Sequence, residues 1–519
     1  MFKNLVILDA GKCNGCGVCV QNCPEIVFEQ PVEKSPPVIS HPDRCMGCMA
    51  CEDDCARGCL SVHRMADGMD GSEIPSPAAW LNPGHTYDLV VIGAGPAGLG
   101  AAIRGRLLDL DVAVIERLPS QRRSHHPDGG LLFWNGIYNA RESGEGLVFE
   151  ELGITLPAAE IRERLDHFIF MGPGGASTKR SPAGGPQMIS FSKDRLVEIL
   201  ADRARELGAA ISRNTRAGAI RREKGSNLMV VTVDGGVEIR GRVVISAEGN
   251  TGRLAARAGI PVNRRPTGWG FALVIEQDPV KDPPGEAGFM IGPLEGLPET
   301  AATPFLSYWS AGKGLVELAT GPLQKKKQRI LEKPLDFYLA HAIGTDTRIA
   351  GRLGQALTNR HARLRDGCRI FARRLPDRFT GDGIIAVGDA ITTCGMMTNI
   401  AAIKSGDIAA QVAREAIVGN NTSAAALAPY RERLLKIQMI KGMSWMHGLL
   451  LEAPMNLPPG DIGLLFGALK HLDLGSMMKG GMGAAWAMTK FMTRAIPLMI
   501  RRPDLRPYLD GSGGPAEKD

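Results

Sequence analysis

Long apolar runs are missing from this 519-residue sequence: no uninterrupted stretch reaches the ~18 residues that a membrane-spanning helix needs. Aromatic residues are scarce at 5%, and no long Lys/Arg run occurs. With 61 basic residues against 55 acidic ones, the sequence carries no nucleic-acid-binding footprint. The first residues, Met1 to Gly11, lack the charged, apolar and small-residue regions of a secretory signal. That predicts a cytoplasmic protein whose thiols stay reduced. Cysteine is almost absent beyond residue 59, where only Cys368 and Cys394 remain. Hydrophobic residues at 44% and charged residues at 22% are ordinary globular usage and exclude wholesale disorder. The length predicts roughly two to four domains.

What is present is concentrated. Nine of the 11 cysteines fall between Cys13 and Cys59, and in a reducing compartment such crowding predicts metal ligation. The runs Cys13-x2-Cys16-x2-Cys19-x3-Cys23-Pro24 and Cys45-x2-Cys48-x2-Cys51-x3-Cys55 give, twice over, the thiolate spacing that holds a [4Fe–4S] cubane. Zinc, the other thiolate-bound ion, favours two Cys pairs over repeated four-Cys runs. Cys59 falls outside both motifs and reads as a buried core thiol. Residues 3 to 63 resemble the bacterial 2[4Fe–4S] ferredoxins. The resemblance implies crossed ligation: Cys13, Cys16, Cys19 and Cys55 on one cluster, Cys45, Cys48, Cys51 and Cys23 on the other. Ala56 stands where that family usually has Pro.

A linker rich in Gly, Pro, Ser and Met, residues 64–86, precedes a different texture. Tyr87 to Ile92 reads as a strand, Ala101 to Leu110 as a helix and Val112 to Ile115 as a second strand, the opening of a βαβ unit. Between strand and helix lies Gly93-x-Gly95-x-x-Gly98, answered by Glu116 after the second strand. The first glycine permits the turn, the second lets a pyrophosphate approach the backbone, and the third lets helix and strand pack, while Glu116 is placed for a ribose hydroxyl. Asp194 to Leu207 reads as an amphipathic helix. Leu228 to Val233, Val237 to Ile239 and Val243 to Ser246 read as strands, and Ile403 to Ala413 as a helix.

Two later segments, Val243-Val-Ile-Ser-Ala-Glu-Gly249 and Gly383-Ile-Ile-Ala-Val-Gly388-Asp389-Ala390, make the dinucleotide FAD by resemblance. Residues 87 to 418 are similar to the FAD oxidoreductases of glutathione-reductase type, in particular the geranylgeranyl reductases, the electron-transfer-flavoprotein:quinone oxidoreductases and their nitrogen-fixation relatives. The resemblance implies that Gly388 and Asp389 meet the ribityl chain and that Lys193 lies near the flavin. It also implies that His125 and His126, before Asp128-Gly-Gly130, run beside the isoalloxazine, where His126 is a candidate proton donor; an exposed loop pair of histidines is the alternative. Cys394 lies on the loop expected at the flavin ring and is a second candidate; small apolar packing is its alternative. Asn399 departs from the families, which favour Gly in that region. No second Gly-x-Gly-x-x-Gly follows a strand, so electrons are expected through the clusters rather than from a built-in NAD(P)H site.

The C-terminal texture differs again. Ten of the 21 methionines lie between Lys436 and Arg506, with nine Lys/Arg against four Asp/Glu. This predicts either a pliable helical cap over a pocket or a basic amphipathic segment peripheral on the inner face of the cytoplasmic membrane. The expected fold is an α+β ferredoxin-like module (1–63) and, after the linker, an α/β Rossmann-type FAD-binding domain (87–430). That domain carries an inserted mixed-sheet substrate domain, and a helical C-terminal region (431–510) follows. The expected function is electron transfer from a ferredoxin-like carrier or an electron-transfer flavoprotein through two [4Fe–4S] clusters to FAD. A lipophilic acceptor would follow: an isoprenoid C=C bond or, alternatively, a quinone. An electron-relay subunit of a larger complex is the third reading.

Overall fold

The computed structural model describes residues 4–64, 81–118, 131–133, 137–165, 167–172, 177–180, 188–261, 268–276, 286–291, 303–312, 315–323, 362–370, 376–391, 399–437, 457–469 and 481–509, with isolated residues between 334 and 347. In the Cys-rich module, β1 (Asn4–Leu8), α1 (Val18–Asn22), α2 (Ala50–Asp53) and β2 (Leu60–Arg64) follow one another. β1 and β2 pair antiparallel with Val6 opposite Val62. Each short helix is entered from a left-handed residue, Gly17 (φ 71°) or Met49 (φ 61°). Val6, Val27, Phe28, Met49, Leu60 and Val62 form a small core between the strands and the cysteine loops.

The second unit opens with β3 (Thr86–Ile92), α3 (Pro96–Leu107) and β4 (Val112–Ile115). Helix α3 starts at Pro96, not Ala101, because proline at its first turn costs no backbone bond. It ends at Leu107, not Leu110, and Asp109 then turns through φ 58°. Next come α4 (Lys193–Glu206), β5 (Ala210–Ser212), β6 (Ala217–Arg222), β7 (Met229–Val233), β8 (Glu238–Ser246), α5 (Arg253–Arg257), β9 (Ile384–Ala386) and α6 (Asn399–Val418). One sheet runs β5-β4-β3-β8-β7-β6, and β9 also pairs with β8. β5, β4, β3, β8 and β9 are parallel neighbours. The two strands expected at 237–239 and 243–246 are one, β8. Gly241 breaks the apolar pattern, but a Cβ there would come within 2.6 Å of Val90, so it marks a close strand approach.

The apolar strands bury both faces: Leu89, Val90, Val91, Val112, Ala113, Val114, Val243, Val244 and Ile245 have no exposed surface. That is the pattern of a parallel sheet covered by helices, and each buried Val, Leu or Ile contributes about 1.5–3 kcal/mol. α6 crosses α3 at close range, where a Cβ on Gly406 would stand 1.9 Å from the Ala97 oxygen. Beside the crossing Asp407, fully buried, receives Arg104 Nε at 2.5 Å, the Tyr138 hydroxyl at 3.0 Å and Lys404 Nζ at 3.3 Å. A second, mixed sheet has seven strands in the spatial order Ser177–Arg180, His167–Met171, Glu286–Ile291, Thr303–Gly312, Leu315–Leu323, Gly268–Glu276 and Ala362–Ile370. Toward the C-terminus α7 (Pro459–Leu469) packs on α8 (Gly481–Arg501) through Leu465, Phe491 and Ala495. Arg502 clamps Asp461 with two bonds of 2.5 and 2.7 Å. No helix among the described residues is long and apolar enough to cross a membrane.

Candidate functional site

The eight motif cysteines fall into two sets. Cys23, Cys45, Cys48 and Cys51 line one cavity, closed by Val6, Val27, Phe28, Met46 and Val62. The fourth cysteine of the first motif thus faces the first three of the second, as crossed ligation requires. Cys13 and Cys16 on the other loop lie near Cys19 in α1, and Cys55, just after α2, faces Cys13 through Cys59. Burial pushes the free thiols of Cys19 and Cys23 up to about 11 and that of Cys51 well above its ordinary value. Ligation must therefore displace protons. Among the described residues no three His, Cys, Asp or Glu side chains converge on a single ion. Around a cubane, four thiolates stand apart across an Fe–S body instead.

The glycine turn follows β3 at the carboxyl ends of the parallel strands, where α/β sheets bind dinucleotides. Gly93 adopts φ 103°, and a Cβ there would lie 2.2 Å from the Ala247 oxygen. At Gly98 a Cβ would stand 1.9 Å from the Gly93 oxygen. At Gly95 it would meet nothing within 4 Å, so open space lies over the second glycine, at the N-terminus of α3. Glu116, 7% exposed at the end of β4, accepts the Ala94 amide at 2.6 Å and the Leu118 amide at 2.8 Å, which fixes its carboxylate beside the same turn.

Gly388 and Asp389 begin a short 3-10 turn after β9. Gly388 has φ 58°, its amide donates to the buried Ser405 hydroxyl at 3.0 Å, and a Cβ on it would touch Ala97. The pair is thereby pinned against the first turn of α3. At the start of α6 Asn399 is 3% exposed, and its Nδ2 has no hydrogen-bond partner among the described residues. Such an orphaned donor is costly unless a bound group accepts from it. The open space over Gly95 and this donor fit a dinucleotide with a polar ring. Lys193, mostly buried, is the first residue of α4, whose N-cap Ser192 accepts the Arg195 amide at 3.4 Å. His125, His126 and Cys394 lie outside the described residues.

Sequence reasoning missed what joins the halves. Glu52 and Asp53, on α2 next to Cys51, form ion pairs with Arg216 and, at 3.5 Å, with Arg117. Both carboxylates are buried, and Glu52 also accepts the Val62 amide at 2.7 Å. Leu118 packs on the core of the Cys-rich module. Arg117 directly follows Glu116, so the module docks beside the glycine turn. Ser405 was equally invisible as a partner of Gly388, because a polar residue in an apolar helix carries no local signal of what it faces.

Comparison with known proteins follows the same division. Residues 5–56 match the family described as 4Fe-4S dicluster domain, and residues 88–267 match FAD dependent oxidoreductase. Over 59 residues the chain is 42% identical to a ferredoxin of Methanocaldococcus jannaschii, covering 92% of that protein and 11% of this one. A digeranylgeranylglycerophospholipid reductase of Methanopyrus kandleri is 27% identical over 67% of this chain and 85% of its own. The mitochondrial electron transfer flavoprotein-ubiquinone oxidoreductase of Oryza sativa subsp. japonica is 30% identical over 35% of this chain. The chain spans about a third of the length of that plant relative, 34%. In fold it is similar to a geranylgeranyl bacteriochlorophyll reductase-like protein of Thermoplasma acidophilum, with a TM-score of 0.59 at 18% identity, covering 80% of this chain and 99% of the other. The N-terminal segment of the chain belongs to the 4Fe–4S dicluster ferredoxins, and a segment that matches the FAD dependent oxidoreductase family follows it.

Proposed function

We propose that this protein takes single electrons from a ferredoxin-like carrier or an electron-transfer flavoprotein and uses them to reduce C=C bonds of an isoprenoid lipid. The docking of the cysteine module on the dinucleotide fold through Glu52 and Asp53 carries this reading, since it fixes an electron-transfer unit against a redox domain. Similarity to a digeranylgeranylglycerophospholipid reductase over 85% of that protein's length supports the substrate class. When bound, FAD supplies the hydride chemistry and two [4Fe–4S] clusters supply one-electron transfer. Cys13, Cys16, Cys19 and Cys55 hold one cluster; Cys23, Cys45, Cys48 and Cys51 hold the other. The amides around Gly95 receive the pyrophosphate, Glu116 a ribose hydroxyl, and Asp389 the ribityl chain. Lys193 and Asn399 position the ring, and His126 or Cys394 delivers the proton that completes a two-electron reduction.

Helix α8 supports contact with the membrane that would hold such a substrate. Phe491 and Ala495 face the core, but Met482, Trp486, Ile496 and Ile500 are exposed on the opposite side at 91%, 60%, 46% and 74%. Lys490, Arg494 and Arg501 flank that stripe, and Lys490 Nζ sits 3.5 Å from the Trp486 ring centre. Apolar residues beside cations suit an anionic lipid surface.

A quinone acceptor is the second reading, favoured by the 30% identity to the plant oxidoreductase. Anaerobic reduction by ferredoxin, followed by separate addition of a polyprenyl lipid and a short-chain quinone, distinguishes the two. Flavin reoxidation by the polyprenyl lipid, with a product two hydrogens heavier, is expected; reoxidation by quinone alone would replace this reading with the second.

A further inference from the structure

The two halves of the cysteine module repeat a step of four residues after their last ligand: Cys23 to Val27, and Cys55 to Cys59. In the first half the Val27 amide donates to Cys23 Sγ at 3.3 Å, and the Val27 side chain closes the cavity bounded by Cys23, Cys45, Cys48 and Cys51. In the second half the Cys59 amide makes the corresponding bond to Cys55. The side chain there is a thiol. Cys59 Sγ lies 3.3 Å from Cys55 Sγ, is 6% exposed, and also reaches Cys13. At that separation the sulfurs are in contact without being bonded, since a disulfide closes to about 2.05 Å. The position is rigid: the Asp9 amide donates to the Cys59 carbonyl at 2.8 Å, and β2 begins at the next residue. Packing alone does not call for sulfur here, because valine serves in the matching position.

We propose that Cys59 is a reserve ligand for the iron held by Cys55, an inference that rests on the two-cluster reading above. At rest the Cys59 S–H donates to the Cys55 thiolate. In the exchange the iron bond to Cys55 breaks, a bond to Cys59 forms, and the Cys59 proton passes to Cys55, so charge and electron count are unchanged. Cys59 then keeps this cluster closed when Cys55 is displaced.

Four proteins purified anaerobically with FAD bound test it: wild type, Cys59→Val, Cys55→Ala and the double variant. Iron and sulfide content and the electron paramagnetic resonance of the reduced protein are read for each. About eight irons per chain are expected in the first three, from two four-iron clusters, with loss at this site only in the double variant. Equal iron loss in Cys55→Ala and the double variant, beside a full wild type, overturns the proposal. A wild type with about half that iron overturns the two-cluster reading and the proposal with it. Should Cys55→Ala not accumulate, Cys59→Val decides through the potential of this cluster. Removing a donor to the thiolate lowers it, and an unchanged potential overturns the pairing from which the exchange starts.

Discussion

At Gly98 a methyl group would stand 1.9 Å from the Gly93 oxygen, whereas at Gly95 it would meet nothing within 4 Å. One motif therefore mixes a folding constraint with a binding constraint, and substitutions separate them. Gly98→Ala should destabilise the chain by about 1–3 kcal/mol, the range for overpacking, seen as a lower thermal midpoint. Gly95→Val should melt near wild type yet carry much less FAD per chain. Full flavin occupancy in Gly95→Val would remove the pyrophosphate from that space. Spacing made the glycines legible in the sequence, because each role follows from backbone geometry over a few residues. Asn399 was noticed only as a departure from a family pattern, since burial of its amide depends on how α6 meets the rest of the fold.

Helix α6 is held to α3 by small residues at the crossing and by Asp407 beside it. Burial alone would raise the Asp407 carboxyl, but the Arg104 hydrogen bond and the Lys404 and Arg104 charges outweigh it and hold the group below its ordinary value. A depressed folded value contributes stability that is present above the unfolded value and lost as pH falls through the folded one. Asp407→Asn should cost about 3–5 kcal/mol at neutral pH, as breaking a buried pair does. It should also flatten the fall in urea stability below pH 4; an unchanged acid slope would assign that slope to other carboxylates. The α2 interface obeys the same rule. Arg216→Glu sets a second anion against buried Glu52 and should leave both cofactor types bound while slowing flavin reduction by reduced ferredoxin at least tenfold. Unaltered stopped-flow rates would make the docking irrelevant to electron delivery. Pairs such as Glu52 with Arg216 join positions over 160 residues apart, beyond any local pattern. By contrast, α4 was legible from its own periodicity, and β8 was split only because Gly241 interrupts one.

At the scale of the whole molecule, two units share one chain, and a C-terminal helix presents an exposed apolar stripe. If that stripe meets lipid, Trp486→Glu with Ile500→Glu should abolish cosedimentation with anionic vesicles, while Lys490→Ala with Arg494→Ala should weaken it and flatten its salt dependence. Binding that survives the first pair would return the helix to a purely structural role. The order of the units was readable from composition, because cysteines, alternating strands and helices, and methionines occupy successive segments of the sequence.

Glu116 and Arg117 are neighbours on one backbone, the first facing the glycine turn and the second gripping Asp53 of the cysteine module. A ligand that ordered this corner would also order the grip, and by thermodynamic reciprocity each event would strengthen the other. Flavin occupancy and shielding of the iron would thereby become one equilibrium: a chain stripped of its nucleotide is expected to surrender its iron to a chelator faster, although no iron ligand had been touched.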